Sequence, residues 1–267
     1  MPTRERLAAV AERAARAGGD YLRDGFRAGR VDAEYGSDDV KAAADRGAER
    51  RVLDAIREAF PDHAVHAEES GRTEGTGDGR RYEWFVDPLD GTNNFAAGIP
   101  LFATVVAVRE AGETVAAAVH EPVPDTLYRA GRDGGVTADG DPVGGGSSLP
   151  LDRGSVSFNV GLGAVRDDHA LSRARAAEDA LRDECRRVLR HWAPGPDWGL
   201  LVEGYIEGLV ALDPAPYEHH AGALFAREAD VVGGWVDGDG DGGPGGEWYV
   251  AAGDGPTRDA IVAALDP

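Results

Sequence analysis

Cysteine and lysine are almost absent from this chain of 267 residues. Cys185 is the only cysteine, so neither an intrachain disulfide nor a zinc site built on several cysteines can form. Lys41 is the only lysine, and arginine supplies the rest of the 28 basic side chains. The 48 acidic side chains outnumber these bases and leave a formal net charge of −20. This balance disfavours a nucleic-acid partner, because an anionic phosphate backbone would be repelled.

Long hydrophobic runs are also missing. The long apolar stretch Phe95–Val108 is interrupted by Gly98 and Pro100 and is shorter than the about 20 residues that a membrane-spanning helix needs. The opening turns carry charged residues such as Arg4 and Glu5, and this does not match the charge and hydrophobicity pattern of a secretory signal peptide. We therefore expect a soluble, cytoplasmic protein without a membrane partner.

The acidic, arginine-rich and lysine-poor composition resembles that of cytoplasmic proteins from salt-accumulating halophiles. Molar salt screens repulsion between like charges beyond about 3 Å, and carboxylates favour solubility more than lysine does. The hypothesis is a halophilic protein whose stability needs high salt. The alternative is an ordinary acidic protein from a mesophile.

Hydrophobic spacing predicts a mixed, layered α/β architecture, because strands and helices alternate in the second half of the chain. An opening helix contains Leu7 to Tyr21 and has Thr3 as its N-cap, and a second helix starts near Asp45 and ends at Pro61. Predicted strands cover 64–67, 82–86, 99–108, 115–120, 126–130, 155–159, 187–192, 206–212, 234–237 and 248–252. Further helices are predicted after Asp167 or Asp168, around 198–202, at 218–229 and at 258–265.

Glycine-rich segments mark the predicted loops. Residues 71–81 are expected to form one loop, and residues 134–150 another. The second loop suggests a division into an N-terminal α+β half, 1–145, and a C-terminal α/β half, 146–267. The acidic run at 237–242 is interpreted as a hairpin turn rather than a calcium loop, since the acid that such a loop needs at its end is missing.

The most informative segment delivers two carboxylates from the end of an apolar strand. Asp87 and Asp90 follow Trp84–Val86, and Pro88 between them restricts one backbone angle and hence their relative direction. Carboxylate oxygens are the hard ligands that Mg²⁺ prefers. The spacing therefore indicates a divalent-metal site.

The residues that follow are suited to binding phosphate. Gly91 lets the backbone approach a ligand closely, and Thr92 and Asn93 suit the start of a helix, where free amides bind anions. Glu68 and Glu69 follow another predicted strand and could supply a third carboxylate. Two cations about 3.5–4 Å apart can activate water and neutralise a phosphoryl group, so the pattern predicts phosphate-ester hydrolysis.

These segments resemble the inositol monophosphatase family, whose Mg²⁺-dependent, lithium-sensitive superfamily includes fructose-1,6-bisphosphatases and 3′-phosphoadenosine phosphatases. The family motif Asp-Pro-x-Asp-Gly-Thr-x-x-Phe is matched in full from Asp87 to Phe95. Its Gly-Glu-Glu is matched by Ala67–Glu69, and its early aspartate by Asp45. The resemblance implies an α+β layered sandwich of αβαβα order. It also implies a phosphomonoesterase for a small phosphorylated polyol or sugar, of the inositol monophosphate or fructose 1,6-bisphosphate type.

The resemblance also implies roles for individual residues. Two or three Mg²⁺ ions, or Mn²⁺ in their place, would be held by oxygen ligands from Glu68, Asp87, the Leu89 carbonyl, Asp90 and Glu218. Glu68, Thr92 and Asp45 would be catalytic, with Thr92 orienting the attacking water and Asp45 linked to it. Asp90, Gly91 and Thr92 would bind the substrate, a small phosphorylated metabolite. Members of the family are often dimers, which allows a homodimer here.

One departure from the family pattern lies in its later signature, Trp-Asp-x-Ala-Ala-Gly. Tyr217–Gly222 matches it with Glu218 in the aspartate position and His220 in an alanine position. Glutamate is one methylene longer, and Mg²⁺ tolerates little deviation from octahedral geometry, so the second metal could bind more weakly. His219 or His220 could instead approach a transition metal, or both could be partly exposed helix histidines.

A second departure lies in the substrate loop. The position of the family's Gly-Ser-Ala is taken by Trp192–Pro194, where the indole would intrude on the usual path of a sugar ring. These changes leave two alternatives open. One is a catalytically weak relative that binds metal or a phosphorylated ligand, and the other is a nucleotide phosphatase of the 3′-phosphoadenosine type.

The halophile hypothesis predicts a salt-dependent stability. We expect the melting temperature to rise between dilute buffer and molar KCl, because added ions screen the excess of negative charge. Thermal unfolding in the two buffers measures this, and an unchanged melting temperature would contradict the hypothesis.

Overall fold

The computed structural model describes residues 2–29, 33–35, 40–147, 149–236 and 248–265. The acidic turn predicted at 237–242 lies outside these ranges. The helices of the described chain are α1 (Arg4–Arg27), α2 (Ala43–Ala59), α3 (Thr92–Ala97), α4 (Leu162–Val165), α5 (Asp168–Glu184), α6 (Pro194–Val202), α7 (Pro216–Glu228) and α8 (Gly255–Leu265). None of these described helices combines the length and apolar character needed to cross a bilayer.

The strands of the described residues form three sheets. They are β1 (Ala33–Tyr35), β2 (Val40–Ala42), β3 (Ala64–Ala67), β4 (Gly71–Thr73), β5 (Tyr82–Asp90), β6 (Ala103–Glu110), β7 (Glu113–Glu121), β8 (Thr126–Gly131), β9 (Val136–Ala138), β10 (Asp141–Val143), β11 (Ser155–Val160), β12 (Arg187–Leu189), β13 (Gly208–Leu212), β14 (Val232–Trp235) and β15 (Trp248–Ala252). The large sheet has the order β10-β9-β8-β7-β6-β5-β3-β4, and the small sheet has the order β12-β11-β13-β15-β14. Strands β1 and β2 pair with each other.

Five layers of secondary structure are stacked on one another. Helices α1 and α2 cover one face of the large sheet, where they bury an apolar cluster that includes Val52 and Trp84. Helices α6 and α7 lie between the two sheets, and Phe225 is fully buried there. Helices α5 and α8 cover the outer face of the small sheet around Leu181 and Ile261. The predicted αβαβα sandwich is therefore confirmed.

Both predicted N-caps are present. The Thr3 hydroxyl accepts a hydrogen bond from the Arg6 amide at 3.2 Å, and Asp167 accepts one from the Ala170 amide at 2.8 Å. Each side chain satisfies one of the amides that the first turn of a helix leaves without an intrahelical partner.

The two segments predicted as loops contain short elements. Residues 71–81 hold strand β4 and a 3₁₀ turn at Gly77–Arg81, and residues 134–150 hold strands β9 and β10. Both predictions were wrong because pairing with a neighbouring strand outweighs the low strand propensity of glycine-rich sequence. The division of the chain at residue 145 stays a prediction. One apolar cluster between the sheets contains Val136 from the first half and Leu209 from the second.

Candidate metal and phosphate site

A β-bulge in strand β5 places both motif aspartates on one side of the large sheet. Asp87 pairs with Val105 and Asp90 with Ala103, so Pro88 and Leu89 together stand opposite a single residue of β6. In a regular strand, side chains three residues apart point to opposite faces. The bulge cancels this alternation.

Hydrogen bonds stabilise the bulge. The Thr104 hydroxyl donates to the Pro88 carbonyl at 2.9 Å, and the Leu89 amide donates to the Asp87 carboxylate at 3.0 Å. Thr104 is fully buried. The irregular backbone therefore has polar partners that hold one conformation, and the direction of Asp87 follows from it.

Gly91 turns the chain from strand β5 into helix α3. Its φ is 88°, in the left-handed region, and an added Cβ would lie 3.0 Å from both the Ala193 Cβ and the Leu101 carbonyl oxygen. Glycine is required here for both reasons. Helix α3 has six residues, and the amides of its first turn have no intrahelical partner.

Thr92, the first residue of α3, connects the motif with helix α2. Its hydroxyl donates to the Leu89 carbonyl at 3.0 Å and lies 3.5 Å from an oxygen of Asp45. Asp45 is buried in the first turn of α2. The structure therefore brings the three sequence-predicted positions Asp45, Leu89 and Thr92 together.

Three carboxylates meet at the floor of a cavity of about 350 Å³ between the two sheets. Asp87, Asp90 and Glu218 each offer an oxygen, and these oxygens all lie within 4.8 Å of one another. Both aspartates are buried, and Glu218 reaches the cluster from the first turn of helix α7. Glu68, which follows strand β3, is exposed and lines the same cavity.

Two further groups position these carboxylates. The Gly195 amide at the start of α6 donates to Asp90 at 2.5 Å. The buried Glu49 carboxylate accepts from the amides of Glu69 and Ser70 at 2.9 and 3.2 Å, which fixes the turn that carries Glu68. Sequence reasoning missed Glu49. The available signal was its place one helical turn after Asp45, on the same face of α2.

The electrostatics of the cluster are unfavourable without a cation. Burial, and then repulsion from Glu68, raises the pKa of Asp87 well above its usual value. Burial and repulsion from Glu218 do the same to the pKa of Asp90. Burial and repulsion from Glu68 raise the pKa of Glu218 from 4.5 to about 8. The cause is common to all three, because neighbouring carboxylates in a low-dielectric cavity resist full ionisation.

This donor set fits a hard divalent cation. The carboxylates of Asp87, Asp90, Glu218 and Glu68, and the carbonyl oxygen of Leu89, are oxygen ligands of the type that Mg²⁺ and Mn²⁺ accept. A bound cation would also compensate the repulsion that raises the three pKa values. Glu218 reaches the cluster despite its different length from aspartate.

The two histidines after Glu218 pack against aromatic rings. The His219 ring lies 4.7 Å from that of Tyr249, and the His220 ring lies 4.4 Å from that of Phe85 in an edge-on arrangement. Burial lowers the pKa of His219 to about 4 and that of His220 to about 3, so both rings are neutral at pH 7. Both are half-buried, and neither belongs to a potential ligand group among the described residues. From helix α7, both histidines thus pack against aromatic rings, and His219 also lines the cavity.

A second ligand-like group, Asp20, His120 and Asp125, lies away from this cavity. Arg23 forms ion pairs with Asp20 at 2.6 Å and with Asp125 at 2.8 Å. His120 is fully buried and contacts Asp125 through Nε2 at 3.1 Å. The guanidinium of Arg23, with that of Arg16 at 3.9 Å from Asp125, supplies positive charge opposite the two carboxylates, so this group joins helix α1 to the end of strand β7.

The raised pKa values predict that the metal-free protein loses stability as the pH rises. Carboxylates with a raised pKa bind protons more readily in the folded than in the unfolded state. Their contribution to the free energy of unfolding is therefore largest at a pH below their pKa in the unfolded chain. For Glu218, stability is lost between pH 4.5 and about 8. At constant high salt, we expect the melting temperature to fall by several degrees from about pH 5 to about pH 8.5, since 1 kcal/mol corresponds to about 2–4 °C in a chain of this size.

Two comparisons make this pH test specific. Mg²⁺ should raise the melting temperature more at the higher pH, because protons no longer compete for the carboxylates. Glu218→Gln, which removes one titrating group, should reduce the pH dependence of the metal-free protein. Equal slopes for the variant and the parent would contradict the assignment.

Comparison with known proteins agrees with this geometry. The sequence profile of the inositol monophosphatase family matches residues 3–265. The Nus factor SuhB of Escherichia coli K12 is 32% identical over 225 residues, which cover 84% of this chain and 82% of that protein. The fructose-1,6-bisphosphatase/inositol-1-monophosphatase of Aquifex aeolicus is 31% identical over 227 residues, with coverage of 84% and 83%.

Solved structures show the same fold. The IMPase of Thermotoga maritima superimposes with a TM-score of 0.82 at 24% identity, over 98% of this chain and 97% of that one. The suhB protein of Bartonella henselae gives a TM-score of 0.85 at 23% identity, over 97% of both chains. The family profile and the relatives above 30% identity establish that this chain belongs to the inositol monophosphatase family.

Proposed function

We propose that this protein is a metal-dependent phosphomonoesterase that releases inorganic phosphate from a small phosphorylated metabolite. The observation that carries the proposal is the convergence of Asp87, Asp90 and Glu218 beside the Gly91–Thr92 turn. Hydrolysis of a phosphate ester needs positive charge on the phosphoryl oxygens and an oriented water. The carboxylates would hold the charge, and the turn would hold the phosphate.

The metal would be bound by Glu68, Asp87, Asp90, Glu218 and the Leu89 carbonyl, with Mg²⁺ as the expected ion and Mn²⁺ as the alternative. When bound, the cations supply Lewis-acid activation of water and charge neutralisation. Asp90 is kept in place by the Gly195 amide, and Asp87 by the Leu89 amide. Because both contacts come from backbone, the ligands are preorganised by the fold itself.

Thr92 would orient the attacking water. Its hydroxyl has acceptors in the Leu89 carbonyl at 3.0 Å and Asp45 at 3.5 Å, and donating its one proton to either leaves an oxygen lone pair free to accept a hydrogen bond from water. Asp45, 3.5 Å from the same oxygen, would accept the proton that the water loses. The amides of Gly91 and Thr92 would hold the phosphate oxygens.

The substrate expected from the family is a phosphorylated polyol or sugar, such as inositol 1-phosphate or fructose 1,6-bisphosphate. The Aquifex aeolicus relative bears both activities in its name. The cytoplasmic location, the homodimer and the halophilic adaptation stay predictions.

A second candidate is a protein that binds metal and a phosphorylated ligand without efficient turnover. Glu218 in place of aspartate favours it, and the Escherichia coli relative is named a Nus factor rather than a phosphatase. A phosphate-release screen with Mg²⁺, Mn²⁺ and Zn²⁺ separates the two candidates. A pure binder would show a ligand-induced rise in melting temperature and no phosphate release.

Asp90→Asn tests the phosphatase. The substitution removes one negative charge from the cluster, and we expect Mg²⁺-dependent phosphate release at high salt to fall by at least about 100-fold, the upper end of the loss seen when a metal ligand loses its supporting partner. Asp152→Asn makes the same chemical change at an exposed position outside the cavity and should keep full activity. Unaltered turnover of Asp90→Asn would reject the assignment.

Glu218→Asp tests whether the glutamate is a competent ligand. Because the Glu218 oxygen already lies within 4.8 Å of the other two ligand oxygens, shortening the side chain should withdraw it. We expect the Mg²⁺ concentration for half-maximal activity to rise about tenfold, since Mg²⁺ demands near-ideal geometry. A large gain in rate would show instead that glutamate degrades the site, as the second candidate requires.

A further inference from the structure

The inner face of the small sheet carries a row of buried polar side chains. Ser155, Ser157 and Asn159 alternate along strand β11, and each is at most 7% exposed. Val156 and Phe158 between them pack into the apolar cluster under α5 and α8, so the polar row faces the region between the two sheets. Buried polar groups cost stability unless they are hydrogen-bonded, so the partners of this row are informative.

A fully buried carboxylate in helix α6, that of Asp197, takes up hydrogen bonds from this row. Its Oδ2 accepts from the Ser157 hydroxyl at 2.5 Å and from the Asn159 Nδ2 at 3.1 Å. Its Oδ1 lies 2.5 Å from the Nδ1 of His191. An ionised carboxylate can only accept hydrogen bonds, so each of these three neighbours presents a donor to it.

This carboxylate determines the direction of the Asn159 amide. The Asn159 Nδ2 also donates to the Ser157 hydroxyl oxygen at 3.2 Å, so the nitrogen faces both acceptors. Turning the amide over would place its oxygen against the Asp197 carboxylate, with no hydrogen between two acceptors. The amide oxygen Oδ1 therefore points away from Asp197.

The amide oxygen of Asn159 is left for a ligand. Asn159 lines the cavity that holds the carboxylate cluster, as does Ala211, its partner on strand β13. Within the described residues, no hydrogen-bond donor reaches the Asn159 Oδ1, and this oxygen is not one of the polar atoms sealed inside the protein. We infer, on the basis of the proposed function, that Asn159 recognises one hydroxyl of the leaving group by accepting a hydrogen bond through Oδ1.

A fixed acceptor distinguishes groups by the proton that they carry. A hydroxyl can donate to Oδ1, whereas a fluorine of similar size has no proton and brings a second electronegative atom against the oxygen. Filling the cavity with such a group leaves the amide oxygen without a partner, which costs more than the hydrogen bond alone. Asp213 and Asn93 also line the cavity and can meet other hydroxyls, so the test has to isolate Asn159.

The test uses myo-inositol 1-phosphate and the analogues in which fluorine replaces one ring hydroxyl at a time, at saturating Mg²⁺. For the parent protein, we expect fluorine at one ring position to lower kcat/KM about tenfold, mainly through KM, as the loss of one hydrogen bond does. Asn159→Leu keeps a similar shape without polar atoms. It should lower kcat/KM for the unmodified ester about tenfold and abolish the fluorine penalty at that one position, while penalties at other positions stay.

Two further variants separate recognition from structural support. Asn159→Ser removes Oδ1 but offers a hydroxyl that can donate to Asp197, and it should also lose the fluorine penalty. Ser157→Ala is the matched control, because it takes one donor from Asp197 as Asn159→Leu does. Ser157 lies outside the cavity lining, so the penalty should remain.

A second readout does not depend on turnover. Fluorine NMR can follow the displacement of a fluorinated inositol by myo-inositol, with Mg²⁺ and inorganic phosphate present, in the parent and in Asn159→Leu. We expect the parent to bind myo-inositol about tenfold more tightly than the analogue fluorinated at the recognised position, and Asn159→Leu to lose this preference.

The outcomes separate the inference from the proposed function. Hydrolysis with no fluorine penalty in the parent, or with penalties that Asn159→Leu leaves unchanged at every position, overturns the inference and leaves the phosphatase standing. An equal loss of the penalty in Ser157→Ala would assign the effect to Asp197 and also overturn it. Absence of phosphate release, together with a preference for myo-inositol that Asn159→Leu loses, rejects the phosphatase and supports recognition by Asn159. Absence of both release and inositol binding rejects both.

Discussion

The mutual repulsion of carboxylates in one cavity is the constraint on which the rest of the site depends. Asp87 and Asp90 are buried next to Glu218, and burial makes each negative charge costly. A chain selected only for stability would avoid this arrangement. The bulge in β5 and the Gly195 amide nevertheless hold the aspartates in place, so the fold maintains an acidic cluster that a divalent cation would stabilise.

The layered fold explains why ligands from distant parts of the chain meet. Strand β5 is interior to the large sheet, and helix α7 lies between the two sheets. Asp87 and Glu218, which are far apart in sequence, therefore reach the same cavity. The loop before α6 closes a third side with Trp192.

Sequence reasoning succeeded for elements whose signal is local. Periodicity and caps located α1, and the β-like runs located the antiparallel strands β6, β7 and β8. It failed for β4, β9 and β10, because pairing with the neighbouring strand outweighs the weak strand propensity of these glycine-rich segments. For the site, the motif at Asp87–Phe95 predicted which residue types would meet. Glu49 was missed, because its two contacts with the turn after β3 exist only in three dimensions.

The sequence by itself determined the alternation of helices and strands and the acidic residues available as ligands, since these follow from hydrophobic periodicity and motif spacing along the chain. The resemblance carried by the motif identified the family and implied the order of the layers. Only the tertiary structure decided that Asp87 and Asp90 share a side of the sheet. A regular strand would place them on opposite faces, whereas the bulge in β5 places them on the same face. It also decided that His219 and His220 pack against aromatic rings, because these contacts depend on neighbours remote in sequence.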